Sequence, residues 1–457
     1  MSFLKKGWFR YLPVSLQRKI EHRPNLQKVL NNISWLFADR FFRMGGGLLI
    51  SIWIARYLGP KQFGLMNYAI AFVALFGSIA TLGLNSIVVK DLIKRPENTD
   101  VTLGTTFVLQ IIGGLLACLI AILAISYVRP NDLTLKLMTA ILGFAMVFKS
   151  VEVVRYWFEA QVQSKYIVWV ENLVFLLFAV VKVFLIFTQA TLIDFIWVIF
   201  AETVLMAFFL LILYSFKVGQ LKSWKLQYGR TKELLKDGWP LMLSGLAVMV
   251  YMRIDQIMLG QMMGDQAVGV YSAAVRISEV FYFIPVAIAA SVFPSIIEAK
   301  KHSEALYYKR LQRLYDLMVI FTLSVAIPMT FFSDVIIHLL FGSAYVGAGP
   351  ILSIHIWAGL FVSLGVISSR WIVIENLQMY ALYRTGLGVL INISANVILI
   401  PKYGSLGAAI GTLISQVLAT YMFDILTHQT RPSFWLKTAS LIPINFIRRK
   451  ANGITND

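Results

Sequence analysis

The chain holds a single cysteine, Cys118, in 457 residues, so no internal disulfide framework is open to it. Charged residues make up only 14%, against roughly a quarter in soluble domains. Acidic side chains are the scarcest of these: 23 Asp and Glu face 41 Lys and Arg, a formal charge of +18. With 58% hydrophobic residues and a mean hydropathy of +0.73, too little polar surface remains for a soluble fold or for intrinsic disorder. The first 30 residues hold seven Lys or Arg and no uninterrupted apolar core, so no cleavable secretory signal is expected. Met44-Gly45-Gly46-Gly47 lacks the Gly-Lys-Ser/Thr of a nucleotide loop and lies in an apolar run, where glycines serve close packing or a flexible point. His338 and His355 have no carboxylates at ligand spacing, and no serine–histidine arrangement is legible. Neither a metal nor another cofactor is expected. The positive charge would suit nucleic acid, but in so apolar a chain the positive-inside rule explains it better.

What is present is length in apolar runs. A bilayer core of about 30 Å takes roughly 20 apolar helical residues, and twelve such runs can be read. Spans 1 to 6 lie near 33–55, 65–89, 104–127, 134–156, 166–188 and 191–214. Spans 7 to 12 lie near 239–260, 268–294, 314–340, 351–374, 383–400 and 404–427. The expected fold is an all-α membrane protein, two six-helix lobes around a central cavity. Residues 1–30 form a basic amphipathic arm, 31–214 the first lobe, 215–238 a basic linker, 239–427 the second lobe, and 428–457 a basic tail at the interface.

Lysine and arginine orient the spans. They cluster in the N-terminal arm, after span 2 (Lys90, Lys94, Arg95), after span 6 (Lys217 to Lys236), after span 8 (Lys300 to Arg313) and in the tail. With twelve spans all these clusters fall on one side, which places both termini in the cytoplasm. The opposite connections carry only Arg56, Lys61, Arg129 and Lys402, with Lys136 at a span start. An internal echo supports a parallel repeat. Leu58-Gly59 and Phe63-Gly64-Leu65 recur as Met263-Gly264 and Val268-Gly269-Val270, each between the first two spans of its half. Such a repeat suits a rocking transporter.

Charges inside spans are costly, about 2.5–3.5 kcal/mol at a helix centre on insertion scales, so they pair or line a wet cavity. Span 1 holds Asp39, Arg40 and Arg43; the first and last share a face and can neutralise each other, leaving Arg40 spare. Lys182, Arg253, Arg276 and Arg370 lie in spans 5, 7, 8 and 10. Counted from the span ends, Arg253 and Arg276 stand at one level, roughly 10–12 Å inside the outer surface. One reading makes Arg40, Arg43, Lys182, Arg253, Arg276 and Arg370 an anion path. The other makes them local ion pairs and snorkelling ends, with Arg276 on Glu279 and Arg370 at inner headgroups. Asp39, Asp194, Glu202, Asp255 and Glu279 divide the same way, into carriers of a coupled ion or fixed counter-ions. Lys149, Glu152, Arg155 and Glu159 form an i, i+3/i+4 ladder that reads as a stabilised helix end. Pro285 and Pro328 predict kinks in spans 8 and 9.

The run Ile54-Ala55-Arg56-Tyr57-Leu58-Gly59-Pro60-Lys61-Gln62-Phe63-Gly64 resembles the turn after the first span of the polysaccharide (O-antigen type) flippases. These belong to the multidrug/oligosaccharidyl-lipid/polysaccharide exporter superfamily. Arg253-Ile254-Asp255-Gln256 with Val268-Gly269-Val270-Tyr271, and Tyr403-Gly404-Ser405-Leu406-Gly407-Ala408-Ala409, resemble its second-half patterns. The resemblance runs from about Asn31 to Thr427, on turn and packing residues that specify the family better than the substrate. It implies a V-shaped transporter in a bacterial inner membrane, not an enzyme, that moves an undecaprenyl-pyrophosphate-linked oligosaccharide from the cytoplasmic to the periplasmic leaflet by alternating access. Its partners would be that lipid, the surrounding membrane lipids, H⁺ or Na⁺ as coupling ion, and polysaccharide polymerase machinery. Alternatives are a teichoic-acid or peptidoglycan-precursor flippase, a drug–cation antiporter, whose lumen should be acidic, or a membrane glycan polymerase or ligase, which should need a large outer loop.

Overall fold

The computed structural model describes residues 24–219 and 221–442. Most of the basic arm and the end of the tail lie outside the described residues. Every regular element among those described is helical, and ten helical stretches are long and apolar enough to cross a membrane, one of them a bent pair. Two of the ten hold two crossings each. Pro24–Leu75 is broken at Gly59, whose φ of 70° is left-handed, and the contacts on either side show that the chain reverses there. Tyr57 donates to the carbonyl of Ala190 in the turn between spans 5 and 6, and Tyr68 lies under Arg129 in the turn between spans 3 and 4. Arg43 reaches Glu171 near the start of span 5, and the carbonyl of Thr81 accepts from Gln110. Gln378–Gln416 reverses likewise at Gly404, φ 57°. Asn392 donates to Ser415 across that hairpin, and Asn396 and Thr412 donate to one carboxylate. Glycine is required at both breaks because a Cβ opposes positive φ. The protein is therefore a multi-pass membrane protein, with twelve spans in two six-helix lobes among the described residues.

Helix ends follow local chemistry. Span 7 begins at Tyr228 and span 9 at Glu304, about ten residues before the apolar runs, because their first turns are polar helix formers projecting past the hydrocarbon. Span 8 divides into Asp265–Val280 and Phe283–His302, a break just ahead of Pro285, whose ring and missing N–H oppose a regular turn. Pro328 leaves Glu304–Phe341 unbroken. Span 12 ends in a π-turn, Val417–Tyr421, and a 3-10 turn, Met422–Ile425, ahead of a short helix, Arg431–Leu441. That helix packs into the second lobe, with Phe434, Leu436 and Ala439 buried.

The core explains how the lobes stand. At the end of the short connections one continuous cluster joins them, with Phe63, Tyr68 and Ile125 packed alongside Tyr271, Tyr345 and Ala408. At the basic end there are two separate cores. One runs from Leu84 through Tyr156 to Leu234, the other from Phe293 through Trp371 to Ala439. The first lobe's core includes Leu234, so the start of span 7 rests on the first lobe. Two lobes sharing a core at one end and holding their own at the other form a V that opens toward the basic face.

Candidate substrate lumen

Span 1 faces the second lobe through Ser51 and, one turn on, Ala55. Ser51 Oγ accepts from Arg276 Nε at 3.0 Å, so Arg276 of span 8 crosses the seam between lobes. It is exposed although it lies mid-helix, which puts its remaining donors into open space between the lobes. Arg253, on span 7, stands 3.9 Å from Glu279, both about a quarter exposed. The sequence-level pairing of Glu279 with Arg276 gives way to Arg253, because helix packing brings the two spans face to face. Arg40, nearer the basic end, is exposed and sits 5.7 Å from the ring of Phe283 on span 8. Arg40 and Arg276 thus each meet the opposite lobe, and Arg253 stands beside Glu279, one turn from Arg276, within the second lobe.

The other candidate cations are placed elsewhere. Arg43 bonds Asp39 in a two-pronged contact of 2.9 and 2.5 Å, as its i, i+4 spacing allows, and also meets Glu171 at 2.7 Å. Arg155 pairs with the same Glu171. These groups, with Arg40 and Glu159, border a cavity of about 240 Å³ at the basic end of the first lobe. Lys182 pairs with Glu202 of span 6 at 2.5 Å, within the first lobe and on the helix face opposite the exposed Val180 and Phe184. Arg370 packs over Phe293 at 5.4 Å, within the second lobe. Asp194 is an N-cap partner: it accepts from the backbone N–H and hydroxyl of Thr191 and closes a capping box on span 6.

Asp255 stands apart. It is buried, and three neutral donors hold it: Asn396 Nδ2 at 2.7 Å, the Tyr271 hydroxyl at 2.8 Å and Thr412 Oγ1 at 2.5 Å. No cationic side chain pairs with it among the described residues, and Asn396 Oδ1 has no hydrogen-bond donor. Sequence reading missed Asn392, Asn396 and Thr412. The available signal was two asparagines four apart in an apolar span, opposite a threonine and a serine three apart. Glu171 was missed as well, being one acid in an otherwise apolar span whose partners come from two other helices.

The profile of the family described as "Polysaccharide biosynthesis protein" matches residues 29–300, more than half of the chain. The chain belongs to that family. A second profile, MatE, matches residues 240–398. A probable flippase, AglR, of Haloferax volcanii is 32% identical over 203 residues, covering 40% of this chain and 39% of that protein. Its first curated relatives are matched over less than half their length. Among solved structures, an inward-facing multidrug resistance MATE family transporter of the MOP superfamily superposes with a TM-score of 0.70 at 16% identity, covering 90% of this chain and 96% of that one. The lipid II flippase MurJ in an inward closed conformation gives 0.68 at 15% identity, with 92% and 97% covered. This polysaccharide biosynthesis protein thus shares its overall fold with these solved transporters.

Proposed function

We propose that this polysaccharide biosynthesis protein is a flippase for an undecaprenyl-pyrophosphate-linked oligosaccharide, an O-antigen or related repeat unit, carried from the cytoplasmic to the periplasmic leaflet. Arg276 carries the reading: a cation held mid-membrane by a neutral serine, with donors free toward the space between lobes. A pyrophosphate cannot enter a low-dielectric core without compensating charge, and guanidinium forks bind phosphate oxygens two at a time. Arg40 stands nearer the basic end, and Arg253 and Arg276 deeper, so the headgroup meets successive cations while the polyprenyl tail stays in lipid. The basic face is the cytoplasmic one, by the distribution of lysine and arginine. The lobes, splayed at that face, are therefore open to the substrate's leaflet. Short opposite connections, such as those between Phe187 and Leu192 and between Met262 and Asp265, favour a transporter over a glycan polymerase.

Asp255 supplies the coupling in this reading. A buried carboxylate without a counter-charge is costly, and taking up H⁺ or Na⁺ removes that cost. Occupancy would then bias the packing of spans 7, 8, 11 and 12. The test is lipid-linked oligosaccharide flipping in proteoliposomes, with and without an imposed ion gradient. Arg276→Ala should lower flipping by folded protein about ten- to a hundredfold, and Asp255→Asn should leave it unresponsive to the gradient. Normal flipping by Arg40→Ala, Arg253→Ala and Arg276→Ala alike would end the reading.

A further inference from the structure

Two outer arginines run against the positive-inside distribution, Arg56 and Arg129, and the transport reading above leaves both without a role. Each belongs to the first lobe and each reaches into the second. Arg129, the residue that ends span 3, donates Nη1 to Asp265 at 2.7 Å and Nη2 to the carbonyl of Gly260 at 2.6 Å. Gly260 lies in the last turn of span 7, where carbonyls lack intrahelical partners, and Asp265 is the first residue of span 8. One guanidinium therefore ties both ends of the turn between spans 7 and 8. Its face lies 4.3 Å from the ring of Tyr68 on span 2, and the Tyr68 hydroxyl accepts from Gln261 in that same turn at 2.6 Å. Arg56 repeats the device on span 9, donating at 2.6 Å to the carbonyl of Leu339 in that helix's last turn. The reverse contact is made by Tyr345, whose hydroxyl donates to the carbonyl of Ala55 at 2.7 Å.

Between these anchors the backbones touch. A Cβ on Gly64 would lie 1.7 Å from the carbonyl oxygen of Asp265, and one on Gly269 would lie 1.9 Å from that of Pro60. The contact holds only while the lobes are closed.

We propose that Arg129 is the pin of an outer latch, with Arg56 as its second point, and that both are positioning residues for transport. They hold the lobes shut at the outer mouth while the cytoplasmic side is open, and must let go for release. The latch rests on the flippase reading only for its outer placement. Three of its five hydrogen bonds end on helix-end carbonyls that water can serve once the lobes part, so it can open without leaving these groups unpaired. The exceptions are the Tyr68–Gln261 pair and Asp265, whose charge makes Arg129 the strongest point.

The test needs no glycan substrate. In a Cys118→Ala background, Ala55→Cys places a thiol one turn from Ser51 on the face of span 1 toward the second lobe. A membrane-impermeant thiol reagent added from outside should label it slowly. Arg129→Ala should raise the labelling rate at least about tenfold, the effect of losing a charge-assisted hydrogen bond. Arg129→Asp and Asp265→Arg should each do the same, and the two combined should return the rate toward that of the parent. Parent-like rates in the single variants overturn the latch. So does a double variant as reactive as the singles, since a merely structural role would not be rescued by reversing the charges. Flipping measured on the same preparations separates the two readings: labelling that follows the latch while no variant or parent flips oligosaccharide would leave the latch standing and remove the substrate.

Discussion

Arg276 and Lys182 are both basic residues within apolar helices, and they differ in what they face. Lys182 meets Glu202 in its own lobe, whereas Arg276 spans the seam to a neutral serine. Arg276→Ala should lower flipping per folded protein by about ten- to a hundredfold, the range expected for one charge-assisted contact to phosphate. Lys182→Ala should leave flipping by folded protein near normal, because its charge is spent on Glu202. Parallel flipping assays at matched protein amount check both. The two side chains were indistinguishable in sequence, since spacing reveals partners on one helix and not across two. Asp39 with Arg43 was legible for that reason, as i and i+4. Asp194 carries a capping-box spacing, as the acid three residues after Thr191, but as an acid within span 6 it reads in the sequence as an ion carrier or counter-ion. Gly64 makes a third prediction. Gly64→Ala places its Cβ on the carbonyl of Asp265, so the outer closure must shift by more than an ångström. Outside labelling of Ala55→Cys should rise even with Arg129 intact, and a parent-like rate would contradict the close approach.

At the level of elements, the spans were readable because a bilayer demands long apolar runs and sorts basic residues to one side. Both hairpin turns showed in the sequence as glycine near proline or at a repeat. The helix at Arg431–Leu441 was less readable. Its composition suits an interface, yet its lysine is fully buried. Lys437 Nζ donates to the Thr420 carbonyl at 2.6 Å and to Asp424 at 2.7 Å. The π-turn at the end of span 12 frees such carbonyls, and the ammonium fills the gap. No pattern within eleven residues could announce a partner thirteen residues upstream. Lys437→Ala should cost about 3–5 kcal/mol, as expected for stranding one charge of a buried pair, and should lower the thermal midpoint in detergent clearly. Removing both charges, as Lys437→Met with Asp424→Leu, should cost much less. Equal losses in the single and double variants would show that packing, not the stranded carboxylate, sets the stability.

Across the whole molecule, the shared core at one end and paired cores at the other suit the proposed alternation between two states. Each outer cross-lobe hydrogen bond is worth about 0.5–1.5 kcal/mol net, somewhat more where charged. The handful seen here sums to the few kcal/mol by which two conformers of a working protein differ. In the proposed reading, a proton or sodium ion at Asp255 and a pyrophosphate among Arg40, Arg253 and Arg276 would shift such a balance without dismantling either lobe. The two-lobe architecture was visible in the sequence from the faint repeat and the central basic linker. The Asp255 cluster was not, because its three ligands come from three other spans. The most direct test is flipping of a fluorescent undecaprenyl-pyrophosphate oligosaccharide in proteoliposomes carrying the protein with Arg40, Arg253 and Arg276 all changed to glutamine, beside the parent. Loss of flipping by the folded triple variant is expected; flipping at the parental rate would contradict a cationic path for the headgroup.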